Sequence, residues 1–267
     1  MVLPSTHLAV VILLIASAAC WALWIFLSKA TIPGWRYELY CVDVCAGLLL
    51  ASVLIVSTFG TLGPEMTFGD RLLVAGTRAK AWVVLGGVAL TLGNFLFVAG
   101  LSLEAKLSPL LGVFAALALN FSWIYRTRQV TILVALLVLA LLCAAVIYYM
   151  LRAASARSKA AKKAAKGRAF SIAGGIFLGG FYPLLRSGLY TDIGVGPYGA
   201  LIISAIAVTV STFIFGIYFL NLPVNGPPVG WMAYRGSSLS RHAAGLAAGA
   251  LYAGALVMLF LGLDVQF

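Results

Sequence analysis

Charge is what this chain most lacks. Its 267 residues hold seven Asp and Glu, and charged residues of both signs make up 9% of it. A soluble globular chain carries about 25% charged residues. The sequence offers no paired carboxylates, and neither H-E-x-x-H nor G-x-S-x-G occurs, so an intramembrane enzyme is not expected. A G-x-x-x-x-G-K-[ST] loop is also missing, so no nucleotide site and no cofactor are expected.

Cysteine is scarce as well. Cys20, Cys41, Cys45 and Cys143 all fall in apolar runs, where a thiol behaves as a small hydrophobe. Cys41 and Cys45 stand four apart with Asp43 between them, but a metal centre needs more converging ligands, so buried thiols and no metal are predicted. Met1 to His7 contains no Lys or Arg, and the apolar run that follows continues to Leu27. A secretory signal needs a basic start and a shorter apolar core, so a retained helix is expected.

What the chain has in abundance is apolar surface. Hydrophobic residues make up 63% of it, and the mean hydropathy is +1.07. A soluble fold of this length could not hide that surface, whereas lipid accepts apolar side chains all round a helix. A spanning helix needs about 20 mostly apolar residues. Eight segments qualify: 8–28, 36–59, 81–102, 108–125, 130–151, 170–190, 197–221 and 242–263. Their breaks carry Ile32-Pro33-Gly34, Ser108-Pro109, Arg126 to Gln129, and the prolines between Asn221 and Pro228. The expected fold class is therefore an all-α polytopic transmembrane helix bundle in a lipid bilayer. Longer connections are expected at 60–80, 152–169 and 222–241, the second as a solvated linker without an apolar stripe.

The net charge of +11 does not call for nucleic acid, because seven of the basic residues lie in 152–169. Such a loop orients a membrane protein. With that loop in the cytoplasm, twelve Lys and Arg fall inside and six outside, and both termini face outward. A faint repeat links Gly86-Gly87 and Ala99-Gly100-Leu101 with Gly249 and Phe260 to Leu263. Five spans precede the basic loop, so a second copy would enter the membrane inverted, as in many secondary transporters. The predicted organisation is a first five-helix repeat over 1–151, the linker 152–169, and an incomplete three-helix second repeat over 170–267.

Polar groups inside lipid usually face a cavity or a partner. Asp43 lies two turns into the second segment, with Arg36 as only a loose partner, and is the proton-coupling candidate. Glu38 reads either as an interfacial pair with Arg36 or as a functional group. Asn94, mid-segment, is either interhelical glue or a solute contact. Trp24 shares a face with Trp21 and Ser28, a pattern of packing or of a ligand platform. Tyr182 precedes Pro183, which removes a backbone bond and marks a kink that could line a cavity. These four are the solute-binding candidates. Asn120 reads as glue, and His242 as a solvated interfacial residue.

The run Trp35-Arg36-Tyr37-Glu38-Leu39 with Asp43, then Gly86-Gly87 with Asn94, Gly179-Gly180-Phe181-Tyr182-Pro183, Gly196-Pro197-Tyr198, Pro223-Val224 with Gly226 and Pro228, Tyr234-Arg235-Gly236, and His242 before Gly245 together resemble the ureide permease family. That family belongs to the drug/metabolite transporter superfamily and is related to glucose/ribose-type sugar permeases. The resemblance implies two inverted five-helix repeats joined by a cytosolic linker, and proton-coupled uptake of ureides such as allantoin or nucleobases such as uracil across the plasma membrane. It also implies ten helices where this chain offers eight, so a homodimer or partner helices would replace the missing spans. A sugar permease and a non-transporting remnant or partner subunit are the alternative expectations.

Overall fold

The computed structural model describes residues 1–33, 35–63, 66–124, 128–189 and 193–264; within these, side chains at 121–124, 128–132 and 263–264 are left aside. Gly34 and Arg126, named above as a break and a charge, lie outside the described residues. The chain is 83% helix, and no strand occurs among the described residues. Ten helices follow one another among the described residues: α1 His7–Thr31, α2 Tyr37–Thr58, α3 Phe68–Val74, α4 Thr77–Leu103, α5 Ser108–Ile124, α6 Arg128–Ser155, α7 Lys159–Leu189, α8 Gly196–Asn221, α9 Met232–Arg235 and α10 Leu239–Asp264. Helix is the outcome these apolar runs require, because in lipid every backbone N–H and C=O must be satisfied within its own segment.

Seven helices, α1, α2, α4, α6, α7, α8 and α10, are long and apolar enough to cross a membrane, so the protein is a polytopic integral membrane bundle. The eighth expected span, α5, has 17 residues. At 1.5 Å per residue it reaches about 25 Å, short of the roughly 30 Å hydrocarbon core.

The bundle is held by close antiparallel contacts that glycine permits. Along α4 and α7, Gly188 meets Ala79, Gly93 meets Leu178, Gly174 meets Phe97 and Gly100 meets Gly167. A Cβ on Gly174 would stand 2.5 Å from the Phe97 amide nitrogen, so only glycine fits there. α10 runs against α1 in the same manner, from Tyr252 beside Trp24 to Gly262 beside Leu14. Ser17 Oγ donates to the Ala255 carbonyl at 2.7 Å within that contact. The packing repeats. α4 lies between α7 and α8, and α10 lies between α1 and α2. Gly87 meets Ser204 of α8, while Gly249 meets Val44 of α2. The two halves differ on one side: α7 is also covered by α5 and α6, but no described helix covers α1 there. Leu8, Ile12, Ile15 and Phe26 of α1 are exposed.

Three expected connections are more ordered than the sequence reading proposed. The linker 152–169 breaks helix only at residues 156–158. Its Ala- and Lys-rich remainder forms the first turns of α7, with Ser158 Oγ accepting from the Ala161 amide at 3.1 Å. An isolated stretch of that composition is marginal, but extending an existing helix needs no new nucleus. Ala165, Gly167 and Ala169 are buried, so the stretch is not a solvated linker throughout. The 60–80 loop contains α3, where Thr67 Oγ1 accepts from the Asp70 amide and donates to the Asp70 carboxylate. The 222–241 loop contains α9.

Candidate functional site

Asp43 is the focus of the polar interior. It sits about 9 Å into α2 by helical rise, and its side chain is 3% exposed. Three contacts bring α10 and the connection before it onto this carboxylate. Gly245 packs against the Asp43 side chain, where a Cβ would approach Asp43 Cβ to 2.5 Å. The Tyr234 hydroxyl of α9 donates to Asp43 Oδ1. His242 Nδ1, in the first turn of α10, lies 2.9 Å from Asp43 Oδ2. The other ring nitrogen of His242 is 3.2 Å from the Tyr234 carbonyl oxygen, so histidine and tyrosine form one cap. Trp35 closes the side of the cap with an edge contact to the His242 ring at 5.2 Å. Tyr234 lies outside the spans, and burial, with the Asp43 carboxylate second, raises its phenol well above the usual range. It therefore stays a donor at any physiological pH.

His242 is thus not the solvated interfacial residue expected from sequence. It is partly buried and bound to a carboxylate 199 positions away. Nothing near it in the chain announced that partner. Arg36 does not serve Asp43 either. Its guanidinium makes a bidentate pair with Glu38, at 3.1 Å from Nε to Oε2 and 3.0 Å from Nη2 to Oε1. Arg36 Nη1 also donates to the Pro227 carbonyl at 2.8 Å. Glu38, with no exposed side-chain surface, is engaged in that pair at the end of the bundle.

Next to Asp43 along α2, Tyr40, Cys41, Val44 and Cys45 form one wall of a small central cavity. Trp24 of α1 and Thr91 and Asn94 of α4 complete much of it. Asn94 Nδ2 donates to the Tyr252 hydroxyl at 2.8 Å, and Tyr252 packs against both Trp21 and Trp24. The glue reading of Asn94 is therefore met on its nitrogen side. Among the described residues its Oδ1 has no hydrogen-bond partner, nor has Trp24 Nε1, although both atoms are buried. One unpaired acceptor and one unpaired donor thus belong to residues lining the same cavity. The cavity holds about 10 Å³, room for about one water.

Trp24 and Asn94 are brought together, Asp43 lies just beyond them, and Glu38 and Tyr182 stand apart. Tyr182 packs half-buried on the core but does not line the cavity. Pro183 lines an outer groove with Ala135, Leu139 and Gly180, so the kink marks the bundle's flank and not its centre. Tyr252 was missed. A tyrosine inside an apolar span beside Gly249 and Gly254 was the available signal. Cys41 and Cys45 are buried free thiols, and no cluster of His, Cys, Asp and Glu suited to a metal occurs among the described residues. Compared with known proteins, the chain matches no family model, no curated protein and no solved structure.

Proposed function

We propose that the chain is a secondary active transporter of small polar solutes, coupled to protons through Asp43. The observation that carries this reading is a carboxylate capped by Tyr234 and His242 beside a small cavity with an unpaired donor and acceptor in its lining residues. The charged carboxylate takes hydrogen bonds from both cap residues. Protonation converts one of its oxygens into a donor and removes the charge that the cap serves. The cap and α10 then loosen together, because Gly245 ties that helix to the same side chain. In the opened state Trp24 Nε1 and Asn94 Oδ1 present a donor and an acceptor to a solute with the opposite pair. An amide-type edge, as in allantoin or uracil, has that pair, which agrees with the likeness to ureide permeases. The repeated packing of α4 and α10 supports the inverted-repeat architecture of such carriers. The basic end of the bundle is cytoplasmic in this reading, and the membrane is the plasma membrane.

A second reading, a non-transporting subunit, is favoured by the uncovered side of α1. In that reading spans from a second copy or from another chain take the place that α5 and α6 take on α7. Reconstitution of the purified chain in liposomes separates the two. Saturable uptake of labelled allantoin or uracil, raised by an inward proton gradient and lost in Trp24→Ala, supports the carrier. Uptake of hexose instead moves the assignment to a sugar permease. Absence of uptake of all three by well-folded protein rules out the carrier proposal for these solutes and favours the subunit.

A further inference from the structure

A second cavity opens at the basic end, where the C-termini of α1 and α4 approach the first turns of α7. It is a partly open cleft of about 440 Å³, far larger than the central cavity. Lys29 of α1, Arg36 before α2 and Lys163 of α7 line it, with Asn225 from the connection after α8. Trp35 and Ile32 contribute an apolar side. No carboxylate belongs to its lining.

The two acids nearest this end are already committed. Glu38 holds Arg36 through both oxygens. Glu104 accepts from the amides of Lys106, Leu107 and Ser108 and lies 3.6 Å from Arg168. Lys29 and Lys163 make neither a hydrogen bond nor an ion pair among the described residues. With Arg36 neutralised by Glu38, two exposed lysines leave uncompensated positive charge on one partly open, half-apolar space. Lysines that only orient a membrane protein need no shared cavity. Lys159 and Lys162, on the same turns of α7, stand outside it.

We infer that this cavity is a binding site for a phosphate group carried on a larger molecule. Two ammonium groups balance a phosphate, Asn225 adds an amide donor, and the apolar side accommodates what the phosphate is attached to. Two sources share this chemistry: the headgroup of an acidic phospholipid in the adjoining leaflet, and a phosphorylated solute. The cavity shares Trp35 with the Asp43 cap, but Asp43, Tyr234 and His242 do not line it, and the proposal does not depend on transport.

The test uses the full chain purified in detergent. Retained phosphatidic acid and phosphatidylcholine are counted by native mass spectrometry, and inorganic phosphate is titrated against thermal stability. The variants are the double K29Q/K163Q, the conservative K29R/K163R, and K159Q/K162Q as a charge-matched control. A lysine near an anionic surface contributes roughly fivefold in affinity, so K29Q/K163Q should weaken binding by about twenty-five-fold. K29R/K163R and K159Q/K162Q should stay close to the parent. Selective retention of phosphatidic acid with no response to phosphate assigns the lipid source. Stabilisation by phosphate, with both lipids retained equally, assigns the solute. The proposal is overturned if K29Q/K163Q behaves like K159Q/K162Q with both probes, or if phosphate is inert and the two lipids bind alike.

Discussion

His242 Nδ1 stands 2.9 Å from Asp43 Oδ2 and joins the second membrane helix to the last. The pair, with Tyr234 as its third member, makes a prediction about both function and stability. His242→Ala takes from Asp43 one of its two cap partners, and an unpaired buried polar group costs about 1–3 kcal/mol. Asp43→Asn keeps the shape but removes the titrating group. In the liposome assay Asp43→Asn should retain solute exchange while losing gradient-driven accumulation. Full accumulation with unchanged pH dependence in Asp43→Asn would remove Asp43 from the coupling step.

The contact of α2 with α10 should be intolerant of even one methyl group. A Cβ on Gly47 would lie 2.1 Å from the Leu246 carbonyl oxygen, so Gly47→Ala must push the two helices apart. Gly180 has nothing within 4 Å of the corresponding position. Gly180→Ala should therefore be neutral or stabilise by up to about 1 kcal/mol through helix propensity. Thermal unfolding in detergent would show the contrast, and equal effects at the two positions would contradict the packing.

Glu104 should contribute stability with a defined pH dependence. Burial acts to raise its pKa, but the amides of Leu107, Lys106 and Ser108, aided by Arg168, outweigh burial and hold the carboxyl below the usual glutamate range. A depressed native pKa stabilises the fold above the unfolded value, about 4.3, and that contribution fades as the pH falls through the native value. Glu104→Gln should therefore lower the unfolding temperature by a few degrees at pH 7, in line with about 1 kcal/mol for a helix cap. The gap should narrow as the medium is acidified below pH 4 or so. A gap that is constant down to strong acid would mean that the charge is irrelevant.

Orientation is checked at Ala161, which is exposed near the start of α7. A cysteine placed there should react with an impermeant maleimide only after the cells are opened. Reaction in intact cells would reverse the placement of the twelve-residue basic end.

The spans were legible because apolar runs of this length have one solution in lipid. The polar centre was legible only in part, for reasons that differ from residue to residue. Asp43 and Asn94 stood out because each is an anomaly within its own run. His242 sits at the edge of its run, where a histidine is unremarkable in sequence, and its meaning comes from a carboxylate far away in the chain. Tyr182 looked central because of Pro183, but which way a helix turns its proline depends on its neighbours. α7 owes its first turns to continuity with a helix beyond them, which a local reading of Ala and Lys does not register.

The position of α10 also sets an order of assembly. α1 packs mainly on α10 and touches α4 only lightly. Among the described helices, α1 thus finds its main partner more than 200 residues further along the chain, in α10. Until residues 239–264 have been made, α1 lacks its principal neighbour and Asp43 lacks His242, so the buried carboxylate has only Tyr234 to serve it in a half-built bundle. A nascent chain stalled before α10 should consequently be the form that membrane quality-control proteases recognise. Supplying α10 as a separate fragment should be enough to protect it.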